Sequence, residues 1–216
     1  MRALHRVRES LIKDKVKTTN QMHAFLLEFG ISLPKGEAVI KRLSLVLAEH
    51  DVPDYMSRLL MKLHAHYLYL VEQITTLELE LKQSIKADDA IQRMMTIPGV
   101  GPITASLLSS QLGDGKQFSC SRDFAASMGL VPRQYSTGGK PTLLGISKRG
   151  NKNLRRLLVQ CARAFMMRLE HQHGRLAEWV KAQLSKKHSN VVACALANKL
   201  ARIAWAITTR QNEYQA

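Results

Sequence analysis

The most regular hydrophobic pattern in the chain lies between residues 54 and 86, where apolar side chains recur at alternating spacings of four and three. The positions are Met56, Leu60, Leu63, Tyr67, Leu70, Ile74, Leu77 and Leu81. This heptad seam predicts a left-handed coiled coil. Its partner is either the helix predicted over residues 2–29 or a second subunit. The alternative is an amphipathic helix that lies on a globular core.

The rest of the pattern predicts helices separated by short loops, and therefore an all-α fold. The predicted helices cover residues 2–29, 37–50, 54–86, 88–96, 102–113, 122–128 with Ser121 as N-cap, 151–170, 175–186 and 189–210. We expect a helical linker and coiled-coil arm over residues 1–86 and a compact helical domain over residues 87–216. A short hairpin that pairs Tyr135–Thr137 with Thr142–Leu144 is also expected. Trp179 and Trp205 are predicted to be core anchors rather than platforms for base stacking.

Charge is distributed unevenly along the chain, whose net charge is +15. Residues 1–130 contain 16 Lys/Arg and 14 Asp/Glu, whereas residues 131–216 contain 16 Lys/Arg and only three acids, Glu170, Glu178 and Glu213. A strongly basic C-terminal part favours a polyanionic partner, above all nucleic acid. The alternative is a basic surface that serves only solubility.

Several classes of protein are disfavoured. The three cysteines are far apart and odd in number, which predicts a reducing cytoplasm rather than a disulfide framework. The pairs His64/His66 and His171/His173 are each two residues apart and point to different helix faces, so we expect no metal site. Because no signal peptide and no apolar run of membrane-spanning length is evident, we expect no membrane partner.

Residues 97–105, Ile-Pro-Gly-Val-Gly-Pro-Ile-Thr-Ala, interrupt the helical pattern. A helix, this turn and a second helix, over about residues 88–113, are typical of a helix-hairpin-helix. Gly99 and Gly101 would leave backbone N–H groups and a helix N-terminus available to a DNA phosphate. The alternative is that these glycines only make a tight turn.

The loop 131–150 places Ser136 and Thr137 beside Gly138 and Gly139. The cations near it are Arg133, Lys140, Lys148 and Arg149, followed by Lys152, Arg155 and Arg156 on the next predicted helix. Glycine lets backbone N–H groups approach an anion, and Arg and Lys neutralise phosphate. A hydroxyl in this setting is either a phosphate ligand or a nucleophile.

Together these motifs resemble one family. The segments that carry the resemblance are Ile97–Ala105, Phe124–Gln134, Ser136–Lys140, Ile146–Asn151 and Leu154–Leu158, in this order. They are similar to the C-terminal part of insertion-sequence-one-ten family transposases of the eleven-eleven subgroup, which are related to the Piv invertases. The resemblance covers essentially the whole chain and is strongest from about residue 91 to residue 158.

The resemblance implies DNA transposition or site-specific recombination, in which a serine attacks a DNA phosphate and forms a phosphoserine link. Alignment from Ser147-Lys148 carries this serine onto Ser136, and alignment from Pro132-Arg133 carries it onto Thr137; we expect Ser136. The resemblance also implies that the partners are element-end and target DNA, a structured bridge RNA, and further copies of the chain bound through the coiled-coil arm.

In the family, magnesium is implied to bind four acids of an N-terminal RuvC-like domain. The acids of this chain sit singly on helices or at turns, so we expect no metal or cofactor in it and a truncated or split transposase that is inactive in isolation. The alternative is a catalytically silent fragment that binds nucleic acid and dimerises, and a host repair-type helix-hairpin-helix protein is a weaker third. Either way we expect a bacterial cytoplasmic protein that is nucleoid-associated when it is bound to DNA.

Overall fold

The fold is described from a computed structural model, which describes residues 1–34, 36, 40 and 42–215. These residues are mostly helical with one small antiparallel hairpin, which confirms the predicted all-α class. In chain order the elements are α1 Arg2–Glu28, α2 Leu43–Glu49, α3 Asp54–Lys86, α4 Asp89–Met95, α5 Pro102–Leu112, α6 Ser121–Ser127, β1 Pro132–Gln134, β2 Leu143–Ile146, α7 Lys152–Met167, α8 Arg175–Leu184 and α9 Ser189–Arg210. They form two compact units, Arg2–Leu81 and the chain from Lys82 onward.

In the first unit α1 lies antiparallel to α3 and covers the heptad seam. Met22 and Leu26, near the end of α1, share one buried cluster with Met56, near the start of α3. Arg8, near the start of α1, forms a 2.5 Å ion pair with Glu78, far along α3. The seam therefore packs on the N-terminal helix of the same chain, because burying one apolar stripe against another removes both from water.

Helix α2 is shorter than the prediction of residues 37–50, since it covers Leu43–Glu49. Residues 37–39 and 41 of that prediction lie outside the described residues. Leu43, the first residue of α2, is fully buried in the same cluster as Met56. Helix α2 therefore joins, through Leu43, the apolar cluster that α1 and α3 share.

The second unit is built around α9, which packs against α4, α5, α6, α7 and α8. By length and composition α9 could span a membrane, contrary to the expectation that no run reaches that size. Its apolar side is instead core: Leu196, Ala197 and Leu200 are all fully buried. Packing on five neighbouring helices accounts for the hydropathy of this helix.

Several predicted boundaries are wrong by a few residues. Cys120, rather than Ser121, is the N-cap of α6, and its side chain makes no capping hydrogen bond. Helix α7 ends at Met167 instead of residue 170, because Arg168 leaves helical geometry and a 3-10 turn, Leu169–His171, follows. Helix α8 ends at Leu184, two residues before the predicted end.

Candidate nucleic-acid interface

The loop that carries the two hydroxyls is a β-hairpin with a two-residue turn. Gly138 and Gly139 have φ angles of 57° and 76°, and the Lys140 amide donates to the Thr137 carbonyl at 3.1 Å. Positive φ at both central positions is what a tight hairpin of this hand requires, and glycine adopts it without strain. The two glycines therefore fix the turn, and their predicted contact with phosphate stays a prediction.

The strands of the hairpin pair further from the turn than expected. Pro132 pairs with Ile146 and Gln134 with Leu143, with an irregularity in register between the two pairs. The predicted pairing of Tyr135–Thr137 with Thr142–Leu144 is reduced to a hydrogen bond from the Tyr135 amide to the Thr142 carbonyl at 2.8 Å and a bridge between Thr137 and Lys140. The hairpin is thus longer than predicted, and Ser136 lies two residues before the turn.

Ser136 is exposed, and its hydroxyl oxygen accepts a hydrogen bond from the Gln134 side-chain amide at 2.8 Å. Residues two apart on an extended strand point to the same side, which brings these two side chains together. Thr137 is also exposed and uses its backbone carbonyl to close the turn. Sequence reasoning missed Gln134, although the two-residue spacing to Ser136 was the signal that could have found it.

At the base of the β-hairpin, two glycines with positive φ allow the segment that leaves the hairpin to lie close against the end of α6. At Gly129, a Cβ would lie 2.2 Å from the Arg149 carbonyl oxygen, and at Gly150 it would lie 1.9 Å from the Ser127 carbonyl oxygen. In this close approach the Lys148 amide donates to the Gly129 carbonyl at 3.1 Å. The chain that leaves the hairpin therefore lies directly on the C-terminal end of α6, and only glycine fits there.

Most of the predicted cations are exposed around this hairpin. Arg133 and Lys140 lie on it, Lys148 and Arg149 lie at its base, and Lys152 and Arg156 lie in the first turns of α7. None of the six has an acidic ion-pair partner within the part of the chain that the structure describes. Six cations without an acidic partner on consecutive segments favour a polyanionic partner, and their predicted contact with phosphate stays a prediction.

Arg155 differs from the other predicted cations. It is half-buried, and its guanidinium donates to the Met128 carbonyl at 2.8 Å, just before Gly129. A hydrogen bond from a charged donor to a backbone carbonyl stabilises the junction between α6 and the hairpin. Arg155 therefore has a structural partner, and its predicted contact with phosphate stays a prediction.

The predicted phosphate site at Gly99 and Gly101 lies elsewhere in the second unit, in the turn between α4 and α5. A Cβ at Gly99 would lie 2.8 Å from the Cys161 carbonyl oxygen of α7, whereas at Gly101 it would meet nothing within 4 Å. Gly99 is thus required for packing on α7, and the predicted contact of Gly99 and Gly101 with phosphate stays a prediction.

A second feature beside the hairpin is a groove of about 1120 Å³. Its walls come from β1 and β2, from the start of α6, from α8 and from the side of α9 that is not in the core. Trp179, predicted to be a core anchor, is half-buried and lines this groove, whereas Trp205 is anchored by a 3.1 Å hydrogen bond to the Gly115 carbonyl. Because the residues that line the groove come from segments far apart in the sequence, no local sequence pattern predicts the groove.

The magnesium implied by the resemblance finds no fitting ligand set in the described residues. Within residues 1–34, 36, 40 and 42–215, no group of three or more His, Cys, Asp or Glu side chains is close enough to hold a metal ion. Divalent cations of this kind bind through several carboxylate or carbonyl oxygens.

Comparison with known proteins identifies the domain that carries the hairpin. A family model described as "Transposase IS116/IS110/IS902 family" matches residues 91–178, from α4 to α8. This chain contains a domain of that transposase family. The match includes Gly99, the hairpin with Ser136, and all of α7, so the resemblance drawn from the sequence is confirmed.

Individual relatives agree with the family. The chain is 69% identical over 210 residues to the transposase for insertion sequence element IS1328 of Yersinia enterocolitica, over 97% of this chain and 63% of the relative. It is 39% identical over 218 residues to the transposase for insertion sequence element IS1111A of Coxiella burnetii, over 100% of this chain and 60% of the relative. The pilin gene-inverting protein of Moraxella bovis is 30% identical over 152 residues, which are 65% of this chain and 44% of that protein. The chain thus spans about three fifths of the length of its first two relatives.

Proposed function

We propose that this chain acts in DNA transposition or site-specific recombination, with Ser136 as the nucleophile that cuts a DNA strand. The observation that carries the proposal is the placement of Ser136. Its hydroxyl is exposed near the end of a hairpin, accepts a hydrogen bond from Gln134 at 2.8 Å, and lies inside the transposase-family match. The relatives named as a transposase and as a gene-inverting protein support a function in DNA rearrangement.

The proposed reaction exchanges one phosphodiester for another. The Ser136 hydroxyl oxygen forms a bond to phosphorus, and the bond from phosphorus to one deoxyribose oxygen breaks. The hydroxyl proton passes to a base in the solvent, and the departing deoxyribose oxygen takes up a proton. Attack by a new DNA hydroxyl on the phosphoserine reverses these transfers and joins the strands, so the bond energy is conserved.

The exposed cations support this reaction by neutralising charge. A phosphodiester gains negative charge as it passes to the five-coordinate transition state, and fixed positive groups stabilise that charge. Arg133 and Lys140 flank Ser136 on the same hairpin, and Lys148 and Arg149 follow at its base. Arginine can hold two phosphate oxygens at once, which orients the phosphorus for attack.

The test is whether DNA becomes covalently attached to the chain. The sequence predicts that the chain is inactive in isolation, and the proposal makes the opposite prediction. Incubation of the full chain with its element-end DNA, a structured RNA from the same element and magnesium should give an adduct that survives denaturation. Digestion and mass spectrometry should place a phosphate on Ser136. If DNA is bound and no adduct forms under any of these conditions, the nucleophile assignment fails for this chain.

The proposed partners are the DNA of element ends and target, a structured RNA, and further copies of the chain, in a bacterial cytoplasm. The same exposed cations would bind RNA phosphates as well as DNA phosphates. Assembly is supported by α3, which still exposes Tyr55, Leu59, Leu68 and Tyr69 after its heptad seam is covered. Large apolar side chains that recur along one exposed helix favour packing against another copy.

A second candidate function is nucleic-acid binding without cleavage, and the unpaired cations favour it. If about six phosphates are contacted, the affinity for duplex DNA should fall on the order of 10³-fold between 50 and 200 mM salt. Fluorescence polarisation across a salt series measures this slope. Arg149→Ala should lower the slope by about one unit, whereas Lys116→Ala, a control whose side chain already lies near Asp114, should not. A salt-independent affinity would contradict both functions.

A further inference from the structure

The groove beside the hairpin combines apolar side chains with cations. Its apolar lining includes Leu144, Ile146 and Ile203, and its cations include Arg133, Lys148 and Arg202. No acidic residue lines it among the residues that the structure describes. Pockets for nucleotide-sized ligands typically measure about 300–1,000 Å³, so a groove of about 1120 Å³ has room for such a unit.

One aromatic ring in the groove is covered by a cation. The Lys199 ammonium lies 4.4 Å from the centre of the Trp179 ring. Burial, and secondarily the nearby Arg202, lowers the pKa of Lys199 below its ordinary value. The ammonium is therefore partly stripped of water and repelled by a neighbouring cation, and a phosphate would relieve both effects.

Two asparagines give the groove hydrogen-bonding groups on a fixed frame. Asn198 donates to the Leu130 carbonyl at 3.2 Å, which ties α9 to the chain just before the hairpin. Asn190 lies in the wall and accepts a 3.0 Å hydrogen bond from Arg163 of α7. The wall is thus held in place by contacts between separate elements, as a preformed binding site requires.

From these features we infer that the groove binds unpaired nucleotides of the DNA strand that Ser136 attacks, with a base against Trp179 and phosphates on Lys199 and Arg202. The inference rests on the proposed function, because it specifies the form of the DNA substrate. The DNA is single-stranded at the point of cleavage. Lys199 leaves the Trp179 ring for a phosphate when the base arrives, and the base takes its place.

The apolar and aromatic lining of the groove favours single-stranded DNA over a duplex. A duplex presents phosphates and groove edges, which need cations but no aromatic platform. A single strand exposes the faces of its bases, which stack on aromatic rings in a basic groove. Arg133 lines the groove and lies three residues before Ser136, at most about 10 Å along an extended strand. Unpaired bases in the groove are therefore within a few nucleotides of the attacked phosphate.

The test compares one DNA sequence as a single strand and as a duplex, bound to the full chain without magnesium or RNA. We expect Trp179→Ala to weaken single-strand binding on the order of ten-fold and duplex binding less than about two-fold. Trp179→Phe, which keeps a stacking ring, should retain most of the affinity. Lys199→Ala should weaken single-strand binding more than Lys181→Ala, a control on the exposed surface of α8.

Photo-cross-linking to the unmodified chain gives a second readout that does not depend on whether the variants fold. A single strand that carries 5-iodouracil should cross-link on irradiation to Trp179 of the unmodified chain and not to Trp205. Equal weakening of single strand and duplex by Trp179→Ala, or cross-links that avoid Trp179, would overturn the groove while leaving Ser136 chemistry open. A chain that binds neither form of DNA would overturn both the groove and the proposed function.

Discussion

Gly150→Ala is expected to lower the free energy of unfolding of the second unit by about 3–6 kcal/mol, a large part of the stability of an ordinary domain. The φ angle of Gly150 is +96°, which strains any residue with a Cβ. The added Cβ would also lie 1.9 Å from the Ser127 carbonyl oxygen, a backbone atom at the end of α6 that has no flexible way to move aside. Both costs act at once, so the junction below the hairpin must open or shift.

Urea unfolding followed by circular dichroism measures this loss, and Gly138→Ala is the matched control. Gly138 also has a positive φ, +57°, but a Cβ there would meet nothing within 4 Å. Its cost is therefore limited to backbone strain of about 1–2 kcal/mol. A similar midpoint shift in the two variants would mean that the contact with α6 gives way easily and does not hold the hairpin.

The heptad seam was the part of the fold that sequence could predict best, because its signal repeats along one helix. Burial of Leu60, Tyr67 and Leu70 follows directly from that period. The sequence could not show which helix covers this seam, since α1 of the same chain and a helix of a second subunit offer the same kind of apolar stripe. The choice depends on the connection through α2 and on contacts such as Arg8 with Glu78.

The candidate site was predictable in chemistry but less so in geometry. The adjacent Gly138 and Gly139 were a sufficient signal for a two-residue turn, which would have placed the strands in the observed register around Thr137 and Lys140. The groove had no such signal, because Arg133, Trp179 and Arg202 are brought together only by the packing of α9. The need for glycine at position 150 also could not be predicted from local sequence, because the atom that excludes a Cβ there, the Ser127 carbonyl oxygen, belongs to α6.

Ser136→Ala is expected to abolish the covalent DNA adduct, with a loss on the order of 10³-fold or more, whereas Thr137→Ala should cost less than about ten-fold. The two hydroxyls are adjacent and exposed, so neither substitution should change the free energy of unfolding by more than about 0.5 kcal/mol. They differ in orientation: Ser136 is held by Gln134 at 2.8 Å, and strand alternation points Thr137 to the other side. Adduct yield on a denaturing gel, normalised to bound DNA, measures the difference.

Gln134→Ala separates nucleophile from positioning residue in the same assay. Without the side-chain amide, the Ser136 hydroxyl loses the contact that orients it, so the adduct should form more slowly yet still carry its phosphate on Ser136. Gln134→Asn has a shorter side chain that cannot reach as far and should restore little of the rate. An adduct that persists in Ser136→Ala and disappears in Thr137→Ala would show that Thr137 is the nucleophile. The hairpin must then present its opposite side to the DNA, and Gln134→Ala should leave the rate unchanged.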